Sequence, residues 1–299
     1  MFPSLNLIGQ TIYSTPPPFE YINRIVIKNG VYDDFYATRV DESIKETDTF
    51  SVPESWDAAA YLHAKFNGDI FSGNSDFGVD NTTNILIKRR VKGTYKWLPL
   101  FDIPADCSDD YNFVVVDKYA ASRTLYEYAA VPIINGVEAS YSIASCKVEF
   151  DNLVIIDKDD RYDTRLNIEM NQSRNTTCGT VVPIESRYPI YVANSANDYY
   201  SGHISATFIK MNGDNVDEDV NPSKYRDDIM SFLNNRKPKF IKHPNGNCWI
   251  AAIGNAINDD DAGHPMVHHT SFDFTEIGNT ESSEDLSRFG FVDIGEEWW

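Results

Sequence analysis

The segment Asn245-Gly246-Asn247-Cys248-Trp249 contains the residues of this chain best suited to covalent chemistry. A cysteine that follows a tight turn and opens a helix has a lowered thiol pKa, and the backbone N–H groups of that turn can stabilise an oxyanion. Such a nucleophile needs a histidine as general base, and His268 and His269 lie further along the chain. One hypothesis from the sequence is therefore a cysteine hydrolase that uses Cys248.

The same segment also predicts a β-hairpin, which needs no catalysis. Two strand-like runs, 240–243 and 248–253, flank residues 244–247, and Asn-Gly is a strong hairpin signal because both residues tolerate positive φ. A third run, 270–278, supplies a partner strand. The turn resembles the nucleophile box of ovarian-tumour-type cysteine proteases, with an asparagine in place of that family's aspartate. We interpret Cys248 as a buried structural cysteine, and we predict no catalytic residue and no enzyme.

A second kind of chemistry is metal binding, because oxygen and imidazole ligands cluster after this hairpin. The candidate ligands are Asp259, Asp260, Asp261, His264, His268 and His269. Gly263 and Pro265 argue against a helix that would place two of the histidines on one face, and the glycine spacing does not fit a calcium loop. We therefore predict an acidic, solvated loop, with no metal and no cofactor.

Composition limits the function classes open to the 299-residue chain. Its 26 lysines and arginines face 45 acidic residues, and the net charge of −19 opposes specific binding to nucleic acid. An acidic surface can instead line a conduit that nucleic acid passes without sticking. The four cysteines, Cys107, Cys146, Cys178 and Cys248, form no Cys-x-x-Cys pair, which argues against a zinc knuckle and a disulfide scaffold. The absence of a leader or a bilayer-length apolar run predicts synthesis in a cytoplasm and no membrane span.

Short runs rich in Val, Ile, Thr and aromatic residues predict a mainly β protein. Residues 221–235 predict one helix, with Asn221 as its cap and Pro222 in its first turn. The regular spacing of strands before residue 150 favours a β-sandwich. In the second half the predicted strands include 153–157, 166–170, 180–184, 189–192 and 202–210. The expected parts are an N-terminal arm (1–48), a β-sandwich (49–150), a second β domain with the helix (151–290) and a C-terminal docking tail (291–299).

Residues 125–140 carry the first family resemblance. Tyr126 and Tyr128 alternate with smaller residues, Asn135-Gly136 forms a turn signal, and Ala139-Ser140 opens the next run. This order resembles the penultimate strand, turn and last strand of a fibronectin type III domain. The resemblance implies a two-sheet sandwich that spaces or binds and seldom catalyses.

A succession of short motifs carries the second resemblance. The motifs are 187–194, 200–208, the helix ending at Asn235, Lys237-Pro238-Lys239, 246–249 and 272–278. The succession is similar to structural proteins of long-tailed bacteriophage tail tips and baseplates, of the distal tail kind. That resemblance implies a tail-tube-like β-barrel or sandwich with one flanking helix. It also implies a virion protein, assembled in the host cytoplasm, that forms a ring, hexameric by family resemblance, between the tail tube and the host-attachment apparatus.

The remaining aromatic residues leave alternatives open. Trp298 and Trp299 end the chain, where two aromatic side chains predict docking against a neighbouring subunit or another tail protein. Trp97 and Trp249 suit a hydrophobic core, but aromatic residues in strands can also bind sugars. The alternative to a tail subunit is a carbohydrate- or surface-binding module that acts through the fibronectin-like sandwich, and the cysteine hydrolase at Cys248 is the third hypothesis.

Overall fold

The computed structural model describes residues 31–38, 58–66, 78–212, 215–217, 219–264 and 267–295. Contacts within the chain divide it into two units. The first contains the described residues up to Phe150 together with 244–247 and those from Thr280 onward, and the second contains 151–243 and 248–279. Each unit has its own sheets, and the prediction of a mainly β protein is confirmed.

The first unit contains two antiparallel sheets. The three-stranded sheet has the order β1-β2-β5 and consists of β1 (Asp34–Thr38), β2 (Ala60–Lys65) and β5 (Phe113–Asp117). The five-stranded sheet has the order β4-β3-β6-β7, with β8 also paired to β6. Its strands are β3 (Thr82–Val91), β4 (Leu98–Pro104), β6 (Leu125–Ile134), β7 (Val137–Glu138) and β8 (Ser142–Lys147).

A buried polar group links the two sheets of this sandwich. Asp117, at the end of β5, accepts hydrogen bonds from Arg89 Nη1 of β3 (2.9 Å) and from the hydroxyl of Tyr128 on β6 (2.8 Å). All three side chains are excluded from solvent. The Asn135-Gly136 turn also forms as predicted, with φ of 52° and 73°, and joins β6 to β7.

The second unit is built on one seven-stranded antiparallel sheet with the order β10-β9-β15-β16-β17-β12-β11. Its strands are β9 (Leu153–Ile156), β10 (Arg161–Thr164), β11 (Leu166–Val181), β12 (Ile190–Thr207), β15 (Lys239–Lys242), β16 (Cys248–His264) and β17 (Val267–Gly278). Two short strands, β13 (Met211–Asn212) and β14 (Asn215–Val216), pair with each other.

This sheet is rolled so that its two edges meet at one corner. The edge strands β10 and β11 are consecutive in the chain, and only Arg165 separates them. The Thr164 hydroxyl donates to the Thr207 carbonyl at the same place, and the Asn167 amide donates to the Thr207 hydroxyl. One bent strand therefore contributes to both edges, as in a barrel.

The core of the second unit lies inside the rolled sheet and under one helix. Trp249, Phe272 and Phe274 from the sheet are at most 3% exposed. Helix α1 (Pro222–Asn234) adds buried side chains from Ile229, Phe232 and Leu233. The predicted helix is confirmed, including its cap, because the Asn221 side chain accepts hydrogen bonds from the N–H groups of Ser223 and Lys224.

The predicted hairpin after the helix also forms, but its turn differs from the prediction. Strands β15 and β16 pair through Lys242 and Cys248, so residues 243–247 connect them. Gly246 has a φ of 101°, whereas Asn245 does not have a positive φ. The turn is thus longer than a two-residue Asn-Gly turn, and the Asn245 side chain stabilises it by accepting from the N–H of Asn247 (2.9 Å).

Several predicted segments fall partly or wholly outside the described residues. Of the N-terminal arm, 31–38 is described and contains β1 of the sandwich. Of the C-terminal tail, 291–295 is described and groups with the first unit, as does helix α2 (Ser283–Arg288). Trp298 and Trp299 lie outside the described residues. Among the helices that the structure describes, none combines the length and apolar character needed to cross a bilayer.

Candidate functional site

The most unusual feature of the second unit is a long two-stranded ribbon formed by β11 and β12. These strands have 16 and 18 residues. Strand β12 pairs with β17 only from Ser201 to Ala206, whereas its pairing with β11 continues to Ile190. The last eight residues of β11, from Arg174 to Val181, and their partners on β12 therefore extend roughly 25 Å past the β12–β17 pairing.

The end of this ribbon is apolar and exposed. Ile184 in the connecting loop is fully exposed (103%). Within 181–192 the charged residues are Glu185 and Arg187, so the segment has no net charge. A cluster of exposed apolar side chains marks a contact surface. The side chains that are more than half exposed, here called the ribbon end, are Val181, Val182, Ile184, Tyr188, Ile190, Tyr191 and Val192.

Polar and steric contacts hold the base of the ribbon. The Arg174 guanidinium donates two hydrogen bonds to the Asp198 carboxylate, at 2.6 and 2.5 Å, and these lower the pKa of Asp198. Gly202 lies where β12 packs closely against β11, because a Cβ atom there would meet the Asn171 carbonyl oxygen at 2.2 Å. The ribbon is therefore fixed at its base, although a two-stranded ribbon by itself is marginally stable in water.

One face of the sheet next to the ribbon is polar, and its charged pair is a histidine with an aspartate. Cross-strand pairing places Asn171 beside His203 and places His203 beside Asp273. The neighbouring row on this face contains Ser173, Ser201 and Thr275. These residues line a shallow groove of about 400 Å³, in which His203 Nδ1 lies 2.8 Å from Asp273 Oδ1. Neither row contains a lysine or an arginine.

The structure separates Cys248 from the two histidines proposed as its base. Cys248 begins β16, so it opens a strand and not a helix. His269 pairs with Asp260, near the other end of β16, roughly 30–40 Å from Cys248 at the usual rise per residue. A nucleophile and its base must be within hydrogen-bond reach, which is about 3 Å. The geometry therefore does not support a Cys248–His268 or Cys248–His269 pair.

The candidate metal ligands lie on the paired strands β16 and β17, which replace the loop expected from the sequence. Asp259 Oδ2 is 3.1 Å from Arg226 Nε and 3.7 Å from His268 Nδ1. The His269 ring bonds to the Thr207 hydroxyl (2.8 Å). Asp260 and His269 are cross-strand neighbours. Across the described ranges, no three His, Cys, Asp or Glu residues are grouped in a way that could hold a metal ion.

The two tryptophans weighed as a sugar-binding platform are buried. Trp97 is 7% exposed and packs in a cluster with Leu86 and Tyr141, and the Arg90 guanidinium lies 4.3 Å from its ring centroid. Trp249 is 3% exposed and belongs to the core of the second unit. Both tryptophans therefore contribute to packing, as their positions in apolar runs indicated.

The core of the second unit contains a buried charge pair that was not predicted from the sequence. Lys239 Nζ lies 2.9 Å from Asp157 Oδ2, and both side chains are fully buried. Lys239 also donates to the Asn235 amide oxygen, and the Asn235 amide nitrogen donates to Asp157. No local signal in the sequence pairs Asp157 with Lys239, which is 82 residues away.

No protein-family model matches the chain, and no curated protein matches it. Among solved structures, one chain in the virion of a native gene transfer agent particle is 15% identical and has a TM-score of 0.28. Another, in the tail of an empty gene transfer agent particle with C6 symmetry, is 16% identical and also has a TM-score of 0.28. Each match covers 43% of this chain and 92% of the other chain. Similarity at this level does not assign a function.

Proposed function

We propose that this chain is a structural, non-enzymatic subunit of a bacteriophage tail, which assembles into a ring between the tail tube and the distal host-attachment apparatus. The observation that carries the proposal is the ribbon end, with its exposed apolar side chains at the tip of β11 and β12. Such a surface is costly in water and is stabilised when another protein covers it.

The partner that fits the ribbon end best is a second copy of this chain. At a net charge of −19, copies repel each other over most of their surface, whereas segment 181–192 has no net charge. Strand β11 is also the last strand of its sheet, so its outer edge can pair with a strand from a neighbour. A head-to-tail contact of this kind closes into a ring when the rotation between copies allows it.

The polar face around His203 and Asp273 suits the inner surface of such a ring. Its side chains are small or polar, and neither of its two rows contains lysine or arginine. A passing nucleic acid would find no cations there to bind its phosphates. We therefore propose that this face lines the channel.

The first unit suits a role as an outward-facing spacer or binding domain. Its strand order, β1-β2-β5 in one sheet and β4-β3-β6 with β7 and β8 in the other, supports the fibronectin type III resemblance proposed from the sequence. The Asn135-Gly136 hairpin between β6 and β7 also agrees with the last turn that this resemblance implies.

The test is negative-stain electron microscopy combined with light-scattering mass measurement on the purified full-length protein. We expect rings with a central channel and a mass that is a multiple of the 33.9 kDa chain. The Val182→Glu variant places a charge in the ribbon end and should shift the mass towards the monomer.

The matched control is Val114→Glu, which changes an exposed valine on β5 of the first unit. This variant should assemble like the unchanged protein. If both variants and the unchanged protein are monomers at every concentration, self-association through the ribbon end is wrong. Equal loss of assembly in both variants would point to a general effect of added charge.

A further inference from the structure

The chain returns to the first unit after the second unit is complete. Residues 280–295, here called the latch, group with the first unit, although nearly all of the stretch 151–279 before them belongs to the second. The second unit is therefore an insertion in the sequence of the first. Two pieces of chain separated by more than a hundred residues must meet before the first unit is whole.

The latch buries apolar side chains. Leu286 of α2 is 0% exposed, and Phe291, Val292 and Ile294 are each at most 7% exposed. The N–H groups of Phe291 and Val292 both donate to the Leu286 carbonyl, which folds the end of the latch back over the helix. Residues buried to this extent belong to a core and not to a surface tail.

The latch also makes specific polar contacts with the sandwich. The Tyr119 hydroxyl donates to the Phe291 carbonyl at 2.8 Å, and the two rings meet edge to face with centroids 5.6 Å apart. The hydroxyl is buried, which raises the pKa of Tyr119 and keeps it protonated as a donor. This contact joins the latch to the loop after β5.

A buried guanidinium marks a second point of attachment. Arg89 is 1% exposed, and one of its nitrogens, Nη1, bonds to Asp117. Its Nε and Nη2 atoms have no hydrogen-bond partner among the described residues, but Nη2 lies 3.7 Å from the Glu281 carboxylate at the start of the latch. A buried donor without a partner is costly, so Arg89 favours a latch position that keeps Glu281 close.

We propose that the latch is the closing element of the first unit, so that the sandwich reaches its final form only after the second unit has been synthesised. While the latch is open, Tyr119 and the β4 surface that contacts α2 are uncovered. The latch then acts as a folding checkpoint, because on an incomplete chain the first unit still exposes the surface that the latch covers.

Hydrogen exchange followed by mass spectrometry on the full-length protein tests this proposal. The Leu286→Ala variant leaves a cavity under α2. We expect amide exchange at least tenfold faster in the latch, in β4 and in residues 118–124, with β15–β17 of the second unit unchanged. The matched control is Ile229→Ala in α1, another fully packed helix residue, which should speed exchange in the second unit alone.

A milder variant keeps the test decisive if Leu286→Ala fails to fold. Tyr119→Phe removes the hydroxyl that bonds to Phe291 and keeps the ring. We expect it to raise exchange in the latch severalfold, together with exchange in residues 118–124. Faster exchange in the latch alone, with β4 and 118–124 unchanged in both variants, would show a passive tail and overturn the proposal.

Discussion

At the scale of single residues, the second unit depends on a buried charge pair that is fully hydrogen-bonded. Asp157 accepts from Lys239, from the Asn235 amide and from the backbone N–H groups of Asp159 and Asp160. The Lys239 ammonium also lies 4.2 Å from the Phe232 ring centroid. Charges buried in this way are tolerated because each has partners, and removing one partner is costly.

The Asp157→Asn variant tests this dependence. It leaves the Lys239 ammonium buried without a counter-charge, so we expect the second unit to lose about 3–5 kcal/mol of unfolding free energy in urea titrations. The control is the double variant Asp157→Asn with Lys239→Met, which removes both charges and should recover much of the loss. A single variant as stable as the unchanged protein would contradict this role.

The same pair predicts a response to acid. Burial by itself raises the pKa of Asp157, but the hydrogen bonds from Asp160, Asn235 and Lys239 outweigh it and lower the pKa from 3.8 to about 2. A folded-state pKa below the unfolded one means that the ionised carboxylate stabilises the fold. This contribution, roughly 2 kcal/mol, is present above pH 4 and is lost as the pH falls through 2. Acid titration followed by circular dichroism should show less acid sensitivity in the double variant.

At the scale of elements, the sequence predicted which segments form strands better than it predicted how long those strands are. The strands predicted at 166–170 and 180–184 are two ends of the single strand β11, and those at 189–192 and 202–210 both lie largely in β12. Residues 171–179, between the first two, are mostly exposed and polar, because the ribbon has no core to face. Apolar alternation identifies strands that cover a core, so it cannot detect this part of a ribbon.

Helix α1, in contrast, was predictable because the signals that define it are local in the sequence. Its cap residue, its proline in the first turn and its apolar stripe are all local in sequence, and each is present in the structure. The ribbon end, which is the candidate site, was only partly predictable from the sequence. The motif at 187–194 was noted, but the exposure of residues 187–192 depends on how far β11 and β12 extend past the sheet, which only the strand register reveals.

Two glycines on the ribbon strands give a matched test of packing. Gly202→Ala would force a Cβ atom against the Asn171 carbonyl and the Phe274 ring. We expect it to lower the stability of the second unit by roughly 1–3 kcal/mol, measured by denaturant titration. Gly179→Ala, near the ribbon end, has no atom within 4 Å of its added Cβ and should change stability by less than about 0.5 kcal/mol. Equal effects of the two substitutions would contradict the close packing at Gly202.

At the scale of the whole molecule, two units with separate cores predict unfolding in more than one step. Tyr128→Phe removes a buried hydroxyl that bonds to Asp117 in the first unit, and a hydrogen bond to a charged group contributes about 1.5–3 kcal/mol. In calorimetry this variant should lower one transition, whereas Asp157→Asn lowers the other. A single transition that both variants shift equally would show instead that the units unfold together.

The junction at Arg165 has a mechanical consequence. Because β10 and β11 are consecutive and form opposite edges of the sheet, a pull on the ribbon along β11 passes through the peptide backbone at Arg165 directly into β10. The load then acts along the antiparallel β9–β10 pair, from Thr164 opposite Leu153 to Arg161 opposite Ile156, so its hydrogen bonds are sheared together and not opened one by one. Tension applied at the ribbon end would thus be shared with the far edge of the sheet.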